Sequence, residues 1–207
     1  MSPDEVRSRL GRHWRVVLPG VVLMAWALPD EQQRRVAALR YAGPRSWLAG
    51  PSAAQLHGLV DAAPPGQHVF VLVPAPLNPR DVAWQTIRRT HLTDERLVGR
   101  EPLRYSSRPR ALVDAAAVTP GDPARAMVID AVRRRLVRLD DVAHWVEARR
   151  SNDRRSLRAI VAEAAARRVV GTRSRISGVR APVIATPRQT WSVASPVMSH
   201  PVGQLAH

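Results

Sequence analysis

Arg7, Arg9, Arg12 and Arg15 fall within nine residues, with His13 among them, in the stretch RSRLGRHWRVVLPGVVLMAWALP over 7–29. Guanidinium groups are planar, permanently charged forks that match phosphate oxygens in bidentate fashion. Clustered at this spacing, they suit recognition of a polyanion, not bond breaking. The whole chain agrees in sign: 207 residues carry a formal net charge of +15. A basic protein of this kind favours a nucleic-acid partner.

Two features temper that inference. The last acid is Glu163, and taking the six arginines beyond it from the total leaves +9 on residues 1–163. All 32 basic residues are arginine and none is lysine. With the abundance of Ala, Val, Pro and Gly, this matches the codon bias of a very GC-rich bacterial genome, so part of the arginine count is mutational.

The same composition excludes several chemistries. Without lysine there is no Gly-Lys-Ser/Thr phosphate loop, no Schiff base and no nuclease centre that needs a lysine beside its carboxylates. Without cysteine there are no disulfides, thiolate-bound zinc sites or thiol nucleophiles. The seven histidines never fall at metal-ligand spacing. His57, in QLHGL, reads as a packed or helix-terminal side chain. Asp114, in LVDAA, reads as a buried cap or an arginine partner. Asp140 and Asp141 read as a helix N-cap pair. No catalytic, cofactor or metal site is expected.

The elements that must hold the arginine cluster come next. Residues 7–29 admit three readings. A signal peptide has a basic start and an Ala25-Trp26-Ala27 cleavage mimic, but Pro19-Gly20 interrupts the helical run it needs. A membrane span needs roughly 20 apolar residues, and this run is shorter. The favoured reading is the end of a basic helix followed by a β-hairpin, with WRVVL and VVLMAW as strands and Pro-Gly as the turn. That is the layout of a recognition helix and its wing, and the hairpin would hold the helix end against a phosphate backbone.

Beyond it, 30–43 reads as a helix capped by Asp30 and stopped at Gly43. A short helix is expected at 51–59, behind Pro51. QHVFVLVP (67–74) and WQTIRRTHL (84–92) read as partner strands. Four helices follow: from about 108 to 118; 121–137, with Asp122 as cap and Ala126, Ile129, Val132 and Leu136 on the apolar face; 139–150; and 153–168. The arginines at 133–135, 149–150 and 154–155 read as solvated helix faces, with a helix-turn-helix over 130–150 as the lesser alternative. From Gly171 the chain has no acid, four prolines and no sustained period, so little stable structure is expected there.

The order GRHWRVVLPGVVLM, SWLAGPSAAQLHGL, HVFVLVP, IRRTHL, SSRPRALVDAAAV, AVRRRLVRLDDV resembles that of actinobacterial proteins similar to AbiEi-type antitoxins, over about residues 7–168. The resemblance implies a winged-helix element and an α/β middle domain, often followed in relatives by an endonuclease-like domain resembling very-short-patch-repair nucleases. It also implies further helices before the wing, so that from Met1 the wing is incomplete and its recognition helix is reduced to DEVRSRLGRH.

The expected architecture is α/β (α+β). A partial winged-helix element (1–29) leads into an α/β middle domain (30–120), a helical region (121–168) and a tail (169–207). The tail is either loose or an out-of-frame reading of the nuclease-like part. The expected role is a cytoplasmic, antitoxin-like DNA-binding regulator. It would act through Arg7, Arg9, Arg12, His13 and Arg15, with a cognate toxin as second partner and no membrane association. The alternative is the non-catalytic N-terminal part of a very-short-patch-repair-like endonuclease.

Overall fold

The computed structural model describes residues 3–60, 68–75, 77, 80–149 and 153–176. It is an α/β protein; the described residues form a two-stranded hairpin and a five-stranded mixed sheet among seven helices. The chain opens with α1 (Pro3–Arg9), followed by strands β1 (Arg15–Leu18) and β2 (Val21–Leu23). These pair antiparallel across the Pro19-Gly20 turn, with Arg15 opposite Leu23 and Leu18 opposite Val21. A register shift between Val16 and Leu18 marks a bulge.

Helix α2 (Glu31–Ala42) starts at a reciprocal cap. The Asp30 carboxylate accepts from the Gln33 backbone N–H at 2.7 Å, and the Gln33 side-chain oxygen accepts from the Asp30 N–H at 3.0 Å. Two otherwise orphaned donors are thereby satisfied. The helix lies between two partners, touching the hairpin as well as the large sheet. Val36 lines the groove against β2, while Ala38, Leu39 and Ala42 pack on the sheet. Small side chains suit a helix covered on two sides, because they let both neighbours approach.

The sheet runs in the order β5 (Gln85–Thr90), β4 (Val69–Pro74), β3 (Trp47–Leu48), β7 (Leu103–Tyr105), β6 (Val98–Arg100). Its middle strand, β3 (Trp47–Leu48), is only two residues long. Sequence patterning had no period to detect there. Strand β4 (Val69–Pro74) has apolar residues facing both ways. Val69, Val71 and Val73 meet α2, whereas Leu72 and Phe70 join Trp47 and Ala49 on the other face. Such a continuous apolar run belongs to a strand covered on both sides.

Its neighbour β5 (Gln85–Thr90) pairs parallel to it, in register from Val69–Gln85 to Pro74–Thr90. As the sheet edge, β5 carries exposed Arg88 and Arg89, charges that discourage further strand addition. Strands β6 (Val98–Arg100) and β7 (Leu103–Tyr105) form a short hairpin that the sequence reading did not contain. Its tightness depends on Gly99 at φ +87°, where a Cβ would lie 2.3 Å from the Leu103 carbonyl oxygen.

Short helix α3 (Gly50–Leu56) follows β3. Helices α4 (Arg108–Val118), α5 (Asp122–Arg133), α6 (Leu139–Ala148) and α7 (Arg154–Ile176) then build the second and larger core. That core joins Ala53 and Ala54 of α3 to Leu112, Val113 and Ala116 of α4, Val128 of α5, Val142 and Val146 of α6, and Leu157 and Ala164 of α7. Helix α4 is its axle. Every residue from Arg110 to Ala116 is buried, so its apolar positions run around the helix instead of forming one stripe.

Four local expectations change. Gly121, not Asp122, occupies the N-cap of α5, and Asp122 sits in the first turn without a side-chain capping bond. The buried face of α5 is Ala124, Val128 and Ala131, with Ile129, Val132 and Leu136 flanking it and Ala126 exposed. Packing against both α4 and α7 rotates the helix by about one position from the stripe its bulkier residues suggest. Asp140 and Asp141 lie inside the first turn of α6, behind the N-cap Arg138, where their charge opposes the helix dipole favourably.

Helix α7 does not stop near 168 but continues through Gly171 to Ile176. One glycine weakens a helix by only about 1 kcal/mol, which does not outweigh propagation from a docked first half. The expectations for 177–207 lie outside the described residues.

Candidate nucleic-acid interface

Helix α1 places Asp4 and Glu5 in its first turn and Arg7 and Arg9 in its last, each charge set against the helix dipole that favours it. Arg7 reaches Asp4 at 3.1 Å and Arg9 reaches Glu5 at 3.0 Å. After Arg9 the chain turns at once. The backbone N–H groups of His13 and Trp14 both donate to the Arg9 carbonyl at 3.0 Å, and Gly11 N–H donates to the Trp14 carbonyl. This turn delivers Arg12 and His13 to an exposed corner and Arg15 to the first position of β1.

Two tryptophans organise the cations. Trp14 is buried, 6 % exposed, and the Arg9 guanidinium lies 5.1 Å from its ring centre. Arg15 lies 5.4 Å from the ring centre of Trp26, just beyond β2. A guanidinium resting on an aromatic face is oriented by the ring quadrupole while its N–H edge stays free for another acceptor. With Leu18, 2 % exposed, Trp14 fixes the helix-to-hairpin junction.

The structure therefore brings all five expected residues together on one helix–turn–hairpin. Arg7, Arg9, Arg12 and His13 are exposed and Arg15 is half-buried. Their acidic neighbours Asp4 and Glu5 are weak competitors, because exposed pairs of this kind are worth only about 0.2–1 kcal/mol. What the sequence reading missed is the pair of tryptophan supports. The signal was present as Trp14 and Trp26 flanking the hairpin, but their stacking on arginine needs the turn geometry.

The other arginine clusters are engaged differently. Arg133 and Arg134 fork onto Asp130 at 2.7 and 3.2 Å. Arg154 and Arg158 both bind Glu147, holding its carboxyl down at about 2. Arg125 grips Glu163 with two bonds of 2.5 and 2.6 Å, tying α5 to α7. Helices α5 and α6, the lesser helix-turn-helix reading, both pack on α4 and α7 as walls of the same bundle.

The most buried charges lie between the sheet and the bundle. Arg110, 3 % exposed, donates to the Leu92 carbonyl at 2.9 Å, to Thr90 Oγ1 at 3.2 Å and to Asp114 at 3.4 Å. Its guanidinium also sits 4.7 Å from the Trp145 ring centre and 5.5 Å from that of Trp47. Arg149, at the end of α6, completes Asp114 at 2.5 Å and reaches Asp153 at 3.0 Å. Burial pushes the Asp114 carboxyl up, against the pull of both arginines.

Giving one oxygen to each guanidinium, Asp114 ties α4 to the end of α6, and with Arg110 and Arg149 it lines a cavity of about 720 Å³. The Arg110 pairing is legible from its i,i+4 spacing, whereas Arg149 is 35 residues away in the chain. His57 caps α3, and its Nε2–H donates to the Ser106 carbonyl at 2.8 Å. Burial is the main cause that lowers its pKa, against the opposing pull of its bond to the Ser106 carbonyl.

Among the described residues no three His, Cys, Asp or Glu side chains come together as a metal site, and no helix is long and apolar enough to cross a membrane. No known family model and no curated protein matches the chain.

Proposed function

We propose that the protein is a cytoplasmic DNA-binding regulator of the kind that its resemblance to AbiEi-type antitoxins implies. It holds duplex DNA by arginine–phosphate contacts from α1 and the β1–β2 hairpin. One observation supports this reading: Arg7, Arg9, Arg12 and His13, all exposed, and half-buried Arg15 fall on one short helix–turn–hairpin whose frame is pinned by buried Trp14 and Leu18. Contacts of this type position a protein on the backbone and carry little sequence information. Binding is accordingly steep in salt and weak in sequence preference.

Four phosphate contacts give a log–log salt slope of roughly −3.6 on duplex DNA. Fluorescence anisotropy with an arbitrary duplex across a salt series measures it. The combined variant Arg7→Ala, Arg9→Ala, Arg12→Ala, Arg15→Ala should lose binding at moderate salt while keeping its helical circular dichroism. Absence of duplex binding at low salt, or an unchanged slope in the variant, removes the proposal.

A toxin-type protein partner is the second reading. Its support is the apolar stretch after β2, where Met24 is 71 %, Trp26 57 % and Leu28 78 % exposed. Co-expressed with the product of an adjacent gene, a Met24→Ser, Leu28→Ser variant should lose co-purification and retain its DNA affinity.

A further inference from the structure

The link from α5 to α6 contains an arginine in a glycine's conformation. The Leu136 N–H donates to the Ala131 carbonyl at 2.9 Å and the Arg135 N–H to that of Val132 at 3.1 Å, closing the helix with Arg135 at φ +57°. This left-handed position is normally filled by glycine, because a Cβ there crowds the backbone. A strained non-glycine residue invites a search for what its side chain does.

Arg135 lines a cavity of about 500 Å³ together with Arg96, Arg108 and Arg138. Asp141 is the one carboxylate residue in that lining. Among the described residues none of the four guanidiniums has a carboxylate within ion-pair distance. Arg108 gives one bond, to the Leu136 carbonyl at 3.3 Å. The nearby buried acid, Asp94, is occupied with backbone: it accepts from the Ser107 N–H at 2.8 Å and the Arg96 N–H at 3.1 Å.

The contrast with the rest of the helical core is sharp, since Arg133 and Arg134, immediately before, are both neutralised by Asp130. The cavity's remaining wall includes His57 and Tyr105, packed edge to face with ring centres 5.1 Å apart. The two rings, inclined at 66° to each other, stand beside a concentration of positive charge.

We propose that this cavity binds a nucleoside polyphosphate, with Arg96, Arg108, Arg135 and Arg138 on the phosphates and the His57–Tyr105 wall against the base. Its volume falls in the range of about 300–1,000 Å³ usual for small-ligand sites. Guanidinium forks match phosphate oxygens in geometry as well as in charge. Nothing in this proposal depends on DNA binding at α1.

The test is isothermal titration of the full chain with three probes: ATP as a generic nucleoside triphosphate, inorganic tripolyphosphate, and a glutamate-rich peptide. ATP should bind tightest, tripolyphosphate more weakly and the peptide least. Arg138→Ala and Arg135→Gly should each weaken ATP binding by roughly tenfold, the scale of one hydrogen bond to a charged group. Arg135→Gly removes the left-handed strain, so its ligand-free thermal midpoint should be at or above that of the parent. Loss of binding in that variant therefore does not reflect loss of fold.

Four outcomes overturn the proposal. They are no binding of either phosphate probe at millimolar concentration in low salt, tripolyphosphate binding as tightly as ATP, the peptide binding tighter than both, or ATP affinity unchanged in Arg135→Gly.

Discussion

Arg7 and Arg110 are the same side chain in opposite settings. In the N-terminal element Arg7 and its partner Asp4 are 78 % and 87 % exposed. At the junction of α4, α6 and α7, Arg110 and Asp114 are 3 % and 12 % exposed. Water screens the first pair, and its carboxylate is readily exchanged for another anion. The second pair has lost its water, is flanked by two tryptophan rings and has a third charge, Arg149, closing it. Exposed pairs contribute about 0.2–1 kcal/mol, while stripping one partner from a buried pair costs about 3–5 kcal/mol. A net charge of +15 counts both kinds equally, although they differ in how firmly each charge is held by its partner.

Breaking the buried cluster should have the largest effect. Asp114→Ala leaves buried Arg110 without a carboxylate and Arg149 with Asp153 alone, and chemical denaturation should register a loss of about 3–5 kcal/mol. Its DNA salt slope, measured wherever the variant is folded, should equal that of the parent. A loss below about 1 kcal/mol would place Asp114 among the exchangeable pairs and erase the contrast.

Arg12→Ala is the mirror experiment. Its thermal midpoint should not move, whereas the salt slope for duplex binding should fall by about 0.9, one phosphate contact. A shifted midpoint with an unchanged slope would assign Arg12 to the fold instead.

Asp30→Ala tests the helix that couples the two regions. It removes the carboxylate half of the cap, and unfolding should show a loss of about 1 kcal/mol. Any weakening of DNA binding should be smaller than for Arg12→Ala, since α2 supports the hairpin without supplying cations.

The smallest effect concerns pH. Glu147 titrates at about 2 when bound by Arg158 and Arg154, below its ordinary 4.5. Its folded-state pKa is depressed, so its contribution is complete above about 4.5 and disappears as the pH falls toward 2. In Glu147→Gln the stability curve should lose part of its slope in that acid window and match the parent's slope at neutral pH. Because water reaches all three side chains, this cluster should matter less than any of the changes above.

Much of the local structure follows from neighbouring residues alone. Asp30 with Gln33 starts α2 and Gly43 ends it; Pro51 and Pro109 mark helix starts; Pro19-Gly20 turns a hairpin between two β-branched strips. These signals act over three or four residues, through capping bonds, a fixed φ or a missing Cβ, and so remain legible in a linear string. The arginine cluster at 7–15 is legible for the same reason, since exposure is the default for guanidinium groups close together in sequence.

Tertiary structure decided the rest. Trp47–Leu48 becomes the central strand because β4 and β7 pair on either side of it, and two residues carry no period of their own. The parallel pairing of β4 with β5, the rotated face of α5 and the extension of α7 to Ile176 each depend on what packs alongside. The separation between Asp114 and Arg149 along the chain is closed only when α4 and α6 dock, and burial there converts an ordinary ion pair into a clamp. Sequence determines which charges exist. The dielectric around each one, which decides whether it holds the fold or remains open to a ligand, is set by the assembled core.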